Sequence, residues 1–324
     1  MPARVLYGDL SKYGHVTLAI GQGGEAPDTY ERFDCTSLDE LEHDLAAFLR
    51  AQDALDLHAA AFSACGWEQA GGLSMHNHNF SISRSWLKDM LRIQRLHLVN
   101  DCVAMAMSVD HGTTEDMTEI HAAAGDDMHV KALIAAGIGL GTAAILPEDG
   151  ARSIVLPCEG GHSALPVAGD EEIELARLLR GRFAHVSRAH LSRESVISNS
   201  GLVELHAALC QLHGGGEAAR DVHAVIALAR AGDELAVRAA AVMTAWLAAM
   251  ASDIALTLGA RGGIYLSGAL LEEMGDLIDR EAFSRRYADK GRLSDYVSKV
   301  PVFHFTLHEQ MIRGLSTLFE RDYH

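Results

Sequence analysis

The sequence predicts an α/β layered fold in two domains, and three observations point that way. Strand-like and helix-like segments alternate through the first 110 residues and again after residue 130. Between them, Asp110 to Met128 is acidic and broken by Gly112 and Gly125, the clearest candidate boundary. With 324 residues, 48% of them hydrophobic and 22% charged, the chain is long enough for two separate cores and unlike a disordered or fibrous protein.

In order, Arg4 to Asp9 and Val16 to Ile20 read as strands joined by a polar turn around Lys12 to Gly14, a hairpin. Ser37-Leu38-Asp39-Glu40 fits a capping box, and Leu38, Leu41, Leu45, Phe48 and Leu49 follow at helical spacing, which predicts a helix over 37–52. An apolar strand at Leu57 to Ala64, a helix near 83–92 and a strand at Leu96 to Val99 complete the first layer. After the break, Lys131 to Ala136 runs into Gly137-Ile138-Gly139-Leu140-Gly141 and Thr142 to Leu146, the pattern of a β-hairpin with a glycine-rich turn. Helices are predicted at 171–183, 200–212, 221–231 and 234–258. Strands follow at Gly263 to Ser267 and Pro301 to Phe305, with a last helix at 312–319. Repeats are absent, and low complexity is confined to Gly214-Gly215-Gly216.

The formal charge of −17, from 27 basic and 44 acidic residues, repels phosphate backbones and anionic bilayers, so neither nucleic acid nor a membrane is an expected partner. An anionic substrate would need backbone amides, a helix N-terminus or a metal ion. Cys35, Cys65, Cys102, Cys158 and Cys210 are an odd set without a C-x-x-C pair, in the contexts of reduced core thiols. Val5-Leu6-Tyr7 opens the chain as a strand without a basic-then-apolar leader, and the expected compartment is cytoplasmic. The apolar run Ala239 to Ala251, flanked by Arg238 and Asp253, falls short of the roughly 20 residues that span a bilayer and is read as a buried helix.

Four groups carry candidate chemistry. Asp101, after Asn100 at the end of an apolar strand, stands where α/β sheets place ligand groups and could accept a proton from a hydroxyl. The same residue type in the same place also serves as a helix N-cap for Cys102-Val103-Ala104-Met105. Cys158-Glu159-Gly160-Gly161-His162 lets the backbone approach a ligand between an acid and an imidazole, which suits a polyhydroxylated substrate or an ordinary turn. Amides at Gly137, Gly139 and Gly141 could line a phosphate, though turn chemistry alone also explains such glycines. His76-Asn77-His78 has alternate histidines on one strand face but no third ligand nearby, so a protein-ligated metal is not expected there. Neither a G-x-S-x-G elbow nor a Walker P-loop occurs.

In order along the chain stand Gly8-Asp9, Asn77-His78, Leu98-Val99-Asn100-Asp101, Gly137-x-Gly139-x-Gly141, Glu159-Gly160-Gly161-His162, Ser192-Arg193-Glu194, Ser200-Gly201-Leu202-Val203, Gly262 to Gly268, and Asp289-Lys290-Gly291-Arg292. Together these motifs resemble the bacterial glucokinase family, in the superfamily that joins hexokinases, actin and the heat-shock chaperone ATPases. They span nearly the whole chain, and the cysteine cluster of the related repressor and open-reading-frame kinases is missing.

The resemblance implies an actin-like ATPase (ribonuclease H-like) fold with a cleft between a small domain, residues 1–110 completed by 301–324, and a large domain, 111–300. It implies ATP-dependent phosphorylation of glucose or a close hexose in a homodimer. Asn77, Asn100, Asp101, Glu159, His162 and Glu194 would bind the sugar, with Asp101 as general base. Asp9 would hold Mg²⁺ through water, and Lys12, Gly137, Gly139, Gly141 and Gly268 would face ATP. The nucleotide half departs from the family pattern. Asp9-Leu10-Ser11-Lys12-Tyr13 stands where the family has Asp-x-Gly-Gly-Thr, and Ile138 stands where it has a threonine. Each lost hydrogen bond to a charged group costs about 1.5–3 kcal/mol, so a sugar-binding or regulatory homologue with weakened catalysis is the alternative function.

Overall fold

The computed structural model describes residues 4–322 apart from 24, 55, 70, 76–79, 149–150 and 188. Asn77 and the His76-Asn77-His78 pattern therefore lie outside the described residues. The chain forms two compact units, one reaching to Gly112 and resuming at Leu307, the other Thr113–Thr306.

In the first unit, β1 (Arg4–Leu10) and β2 (His15–Gln22) form the predicted antiparallel hairpin, and β3 (Glu31–Asp34), which the sequence pattern does not mark, pairs antiparallel with β2. Helix α1 (Leu38–Ala51) leads to β4 (Ala59–Ala64). The short strands β5 (Gly66–Gln69), β6 (Gly72–Met75) and β7 (Ser81–Ser83) make a small separate sheet before α2 (Arg84–Leu91), β8 (Arg95–Asn100) and α3 (Asp101–Met107). The main sheet runs β3-β2-β1-β4-β8, with β1, β4 and β8 parallel. Ser37 caps α1 by accepting the Glu40 N–H, and the Glu40 carboxylate reaches back to the Thr36 N–H at 2.7 Å, closing the start of the helix.

Period-two alternation in the central strands fills both faces of this sheet. Leu6, Leu10, Phe62 and Leu98 pack with Leu41, Leu45 and Phe48 of α1 and Leu87 of α2. On the other face, Val5, Tyr7, Ala59 and Ala61 meet Ala104 of α3 and Ile312, Leu315 and Phe319 from the C-terminal segment. The alanines of β4 let those helices come close. Gly314, in the helix Gln310–Ser316, lies where an added Cβ would stand 1.8 Å from the Ala104 carbonyl oxygen.

The second unit contains β9 (Met117–His121), β10 (Lys131–Ala136), β11 (Leu140–Glu148), β12 (Ala151–Cys158), α4 (Gly169–Arg182), α5 (Asn199–His213), α6 (Val222–Arg230) and α7 (Glu234–Leu258). It continues with β13 (Gly263–Ser267), α8 (Ala269–Met274), α9 (Arg280–Ala288), α10 (Ser294–Val297) and β14 (Val302–Phe305). The sheet order is β12-β11-β10-β13-β14-β9, with β10, β13 and β14 parallel. Strand β9 lies inside the acidic segment that the sequence marks as a break, and pairs antiparallel with β14. The tail that groups with the first unit begins at Leu307, after β14. The glycine turn is tighter than its sequence pattern suggests: Gly141 is already paired opposite Ala135, leaving Gly137 to Gly139 as the turn.

Helix α7 is the core helix of this unit, with Trp246, Met250 and Ala251 fully buried among side chains from α4, α5 and α6. By length and composition it is apolar enough to cross a membrane, but 78% of its apolar window is buried inside the protein. Its Trp246 indole N–H donates to Glu172 of α4 at 2.9 Å.

Candidate active site

Asp101 sits where β8 turns into α3, and the geometry assigns the helix cap to its neighbour. Asn100 is the N-cap: its Oδ1 accepts the Cys102 N–H at 2.8 Å, while its Nδ2 donates to the Gly66 carbonyl at 2.8 Å. Asp101 is the first residue of the helix, and its Oδ1 shares the same Cys102 N–H at 2.9 Å. Burial pushes the Asp101 carboxyl up to about 6, against a pull downward from that N–H and from the Cys65 thiol, and the Asp9 charge adds to the rise. Cys65 follows β4, whose Ala64 pairs with Asn100, so register brings the thiol beside the acid. A carboxyl near 6 is ionised at neutral pH yet more basic than an ordinary aspartate, as a proton acceptor requires.

Asp9, at the end of β1, is buried in a cage of hydroxyls. Its Oδ1 accepts the Ser11 N–H at 2.9 Å and the Ser63 hydroxyl at 2.9 Å, and its Oδ2 accepts the Ser11 hydroxyl at 3.0 Å. Burial nevertheless holds its carboxyl above the usual range. Lys12 and Tyr13 are exposed on the turn that follows, where Gly14 takes a φ of +74°. Ser11 therefore directs its backbone N–H and its hydroxyl to the acid.

In the second unit, the loop Glu159 to His162 is built on the glycine hairpin. The Gly160 N–H donates to Thr142 Oγ1 at 2.8 Å, and a Cβ on Gly161 would stand 2.0 Å from the Leu140 carbonyl oxygen, so only glycine fits. Glu194 joins the two. Its own N–H donates to the Gly161 carbonyl at 2.9 Å, and its Oε2 accepts the Leu140 N–H at 3.0 Å. His162 lies 3.8 Å from Glu194 Oε1 and 3.8 Å from Glu159 Oε2, beyond hydrogen-bond reach, so these groups approach one another without saturating their polar atoms. The hairpin is pinned from the other side by the Asn199 N–H, which donates to the Gly137 carbonyl at 2.8 Å. Gly268, at φ +102°, packs against the end of β10, where a Cβ would meet the Ala136 carbonyl oxygen at 2.4 Å.

The candidate residues thus fall into two groups. Asp9, Lys12, Asn100 and Asp101 belong to the first unit, and Glu159, His162, Glu194, Gly137, Gly139, Gly141 and Gly268 to the second. Sequence reasoning missed Ser63 and Cys65, which carry no motif, and Thr142, which reads as an ordinary strand residue. Among the described residues no cluster of three or more His, Cys, Asp or Glu side chains could hold a metal directly. The Asp9 cage fits a looser role, because Mg²⁺ keeps several waters and takes substrate phosphates as ligands, and Asp9 Oδ2 retains accepting capacity.

The architecture defines an actin-like two-domain sugar-kinase fold. The chain superposes on a glucokinase crystal structure from an Antarctic psychrotroph with a TM-score of 0.85 at 24% identity, covering 99% of this chain and 100% of that one. It is 34% identical over 306 residues to a glucokinase-like protein of Caulobacter vibrioides, covering 94% of this chain and 93% of that protein. A glucokinase of Nitrobacter hamburgensis is 32% identical over 311 residues, 91% of this chain and 95% of that protein. Residues 13–322 match the family described as Glucokinase, and the chain belongs to that family. The match begins at Tyr13, the last residue of the altered Asp9 to Tyr13 segment.

Proposed function

We propose that the protein is a hexose kinase that phosphorylates the primary hydroxyl of glucose with Mg-ATP. The observation that carries this reading is the stacking of Glu159, His162 and Glu194 on the glycine hairpin, which supports adjoining subsites for a polyhydroxylated acceptor and a phosphate donor. Asn77, Asn100, Asp101, Glu159, His162 and Glu194 bind the sugar hydroxyls. Asp101 accepts the proton of the primary hydroxyl as its oxygen bonds to the γ-phosphorus and the bond to the departing ADP oxygen breaks. Such a base contributes about 10²–10⁴-fold. Gly137, Gly139, Gly141 and Gly268 line the nucleotide, with Lys12 on its phosphates and Asp9 on the water shell of Mg²⁺. The metal, when bound, neutralises charge on the phosphates. The working form is a homodimer in the cytoplasm.

A coupled assay with glucose and Mg-ATP tests the activity, and calorimetry with each ligand alone separates binding from turnover. Turnover lost in Asp101→Ala, with sugar binding weakened less, supports the role of Asp101 as base. Sugar binding without turnover at millimolar ATP overturns the kinase reading in favour of a sugar-binding regulator.

A further inference from the structure

We infer that Asp253 is a positioning residue for the sugar site, acting through Arg193 to fix the direction of Glu194. This rests on the reading of Glu194 as a sugar ligand. Asp253 lies in the C-terminal half of α7, among Met250, Ala251, Ile254 and Ala255, where an aspartate has low helix propensity and gains nothing from the helix dipole. Its presence there is explained by what it touches. Oδ2 accepts Arg193 Nη2 at 3.0 Å, and Oδ1 accepts Lys290 Nζ at 2.5 Å. Both cations are largely buried, with side chains 12% and 19% exposed. Burial pulls the Arg193 guanidinium below its ordinary value, and the Asp253 charge opposes that fall.

Arg193 and Glu194 are neighbours with opposite anchors. The Arg193 side chain is held on α7, while the Glu194 carboxylate is held by the Leu140 N–H of the hairpin. Their backbone N–H groups donate to Ser163 and Gly161 of the loop between them, each at 2.9 Å. A rotation of this turn that released Glu194 would also pull Arg193 off its only carboxylate partner among the described ion pairs. Lys290, in the turn after α9, occupies the second oxygen, so Asp253 cannot swing away to solvent without stranding two cations. This gives Ser192-Arg193-Glu194 and Asp289-Lys290-Gly291-Arg292, far apart in sequence, one shared purpose.

The test is glucose affinity by calorimetry and glucose KM by coupled assay in Asp253→Asn, with Asp253→Glu as the conservative rescue. Val225→Ala, at a fully buried position of α6, serves as a control for lost stability. Asp253→Asn is expected to raise glucose Kd and KM 10- to 100-fold with kcat falling less than threefold, and Asp253→Glu to recover at least half of that loss on a logarithmic scale. Val225→Ala is expected to lower the melting temperature and leave glucose Kd unchanged. Should Asp253→Asn fail to fold, Arg193→Lys, which keeps the charge and shortens the reach, is expected to weaken glucose 3- to 10-fold. Glucose Kd within twofold of wild type in Asp253→Asn, or in Arg193→Lys where that variant is needed, overturns the inference. If the wild-type protein itself neither binds nor phosphorylates glucose, it is the underlying sugar-kinase reading that fails.

Discussion

Asp101 is the residue on which chemistry and stability pull in opposite directions. Its carboxyl is pushed to about 6 mainly by burial, so it is protonated below that pH and cannot accept a proton there. The kcat/KM for glucose is expected to rise through an apparent value near 6 and to level off above it, and Asp101→Asn should lower kcat about 10²–10⁴-fold. A raised folded-state value means that the stabilising contribution of this group is complete below about 4 and is lost as the pH climbs through 6. Asp101→Asn, neutral at every pH, should therefore melt higher than wild type at pH 7.5, by up to about 3 kcal/mol in unfolding free energy. A lower melting temperature in that variant would show that the carboxylate is a net structural contact. The sequence marks Asp101 and Asn100 but cannot divide their labour, since both residue types cap helices. Only the Asn100 bonds to Cys102 and Gly66 assign the cap. The Ser63 hydroxyl on Asp9 comes from 54 residues away and leaves no local trace.

Helices α5, α6 and α7 are legible in the sequence to within a residue or two, because each has a long periodic apolar face and a clear capping residue in Ser198, Asp221 or Asp233. The strands β5, β6, β7 and β9 are not, since they are short, carry few apolar residues, and owe their existence to pairing with distant partners. At the glycine hairpin, Ile138 is 63% exposed at the tip of the turn and has no hydroxyl to donate. Ile138→Thr is expected to lower the KM for Mg-ATP about tenfold, on the scale of one hydrogen bond to a charged group. An unchanged KM would mean that the turn does not touch phosphate. The helix Gln310–Ser316 offers a separate packing test. Gly314→Ala drives a methyl into the Ala104 carbonyl and should cost about 2–4 kcal/mol in denaturant unfolding, because backbone on both sides must move.

At the scale of the whole molecule, the charge of −17 that excludes polyanionic partners also constrains how ATP arrives. On the proposed reading, affinity for ATP rests on the hairpin amides, Lys12 and the metal. Raising ionic strength from about 20 to 200 mM is expected to leave the Mg-ATP KM unchanged or slightly lower, as repulsion is screened. A steep rise would reveal a cationic docking path. Two-layer alternation and the acidic break made the α/β class legible, while the return of the chain to the first unit followed only from the family resemblance, which assigned it 301–324, because composition and periodicity after Leu307 carry no signal of which core that segment joins. That route bears on synthesis. The body of the first unit is translated before Thr113–Thr306, yet Ile312, Leu315 and Phe319, which fill one face of its sheet, follow that whole unit in the chain. The intervening Thr113–Thr306 unit holds its own core, so the two cores close in the reverse of their order in the chain: the second is complete at Thr306, and the first only once the segment from Leu307 has joined it.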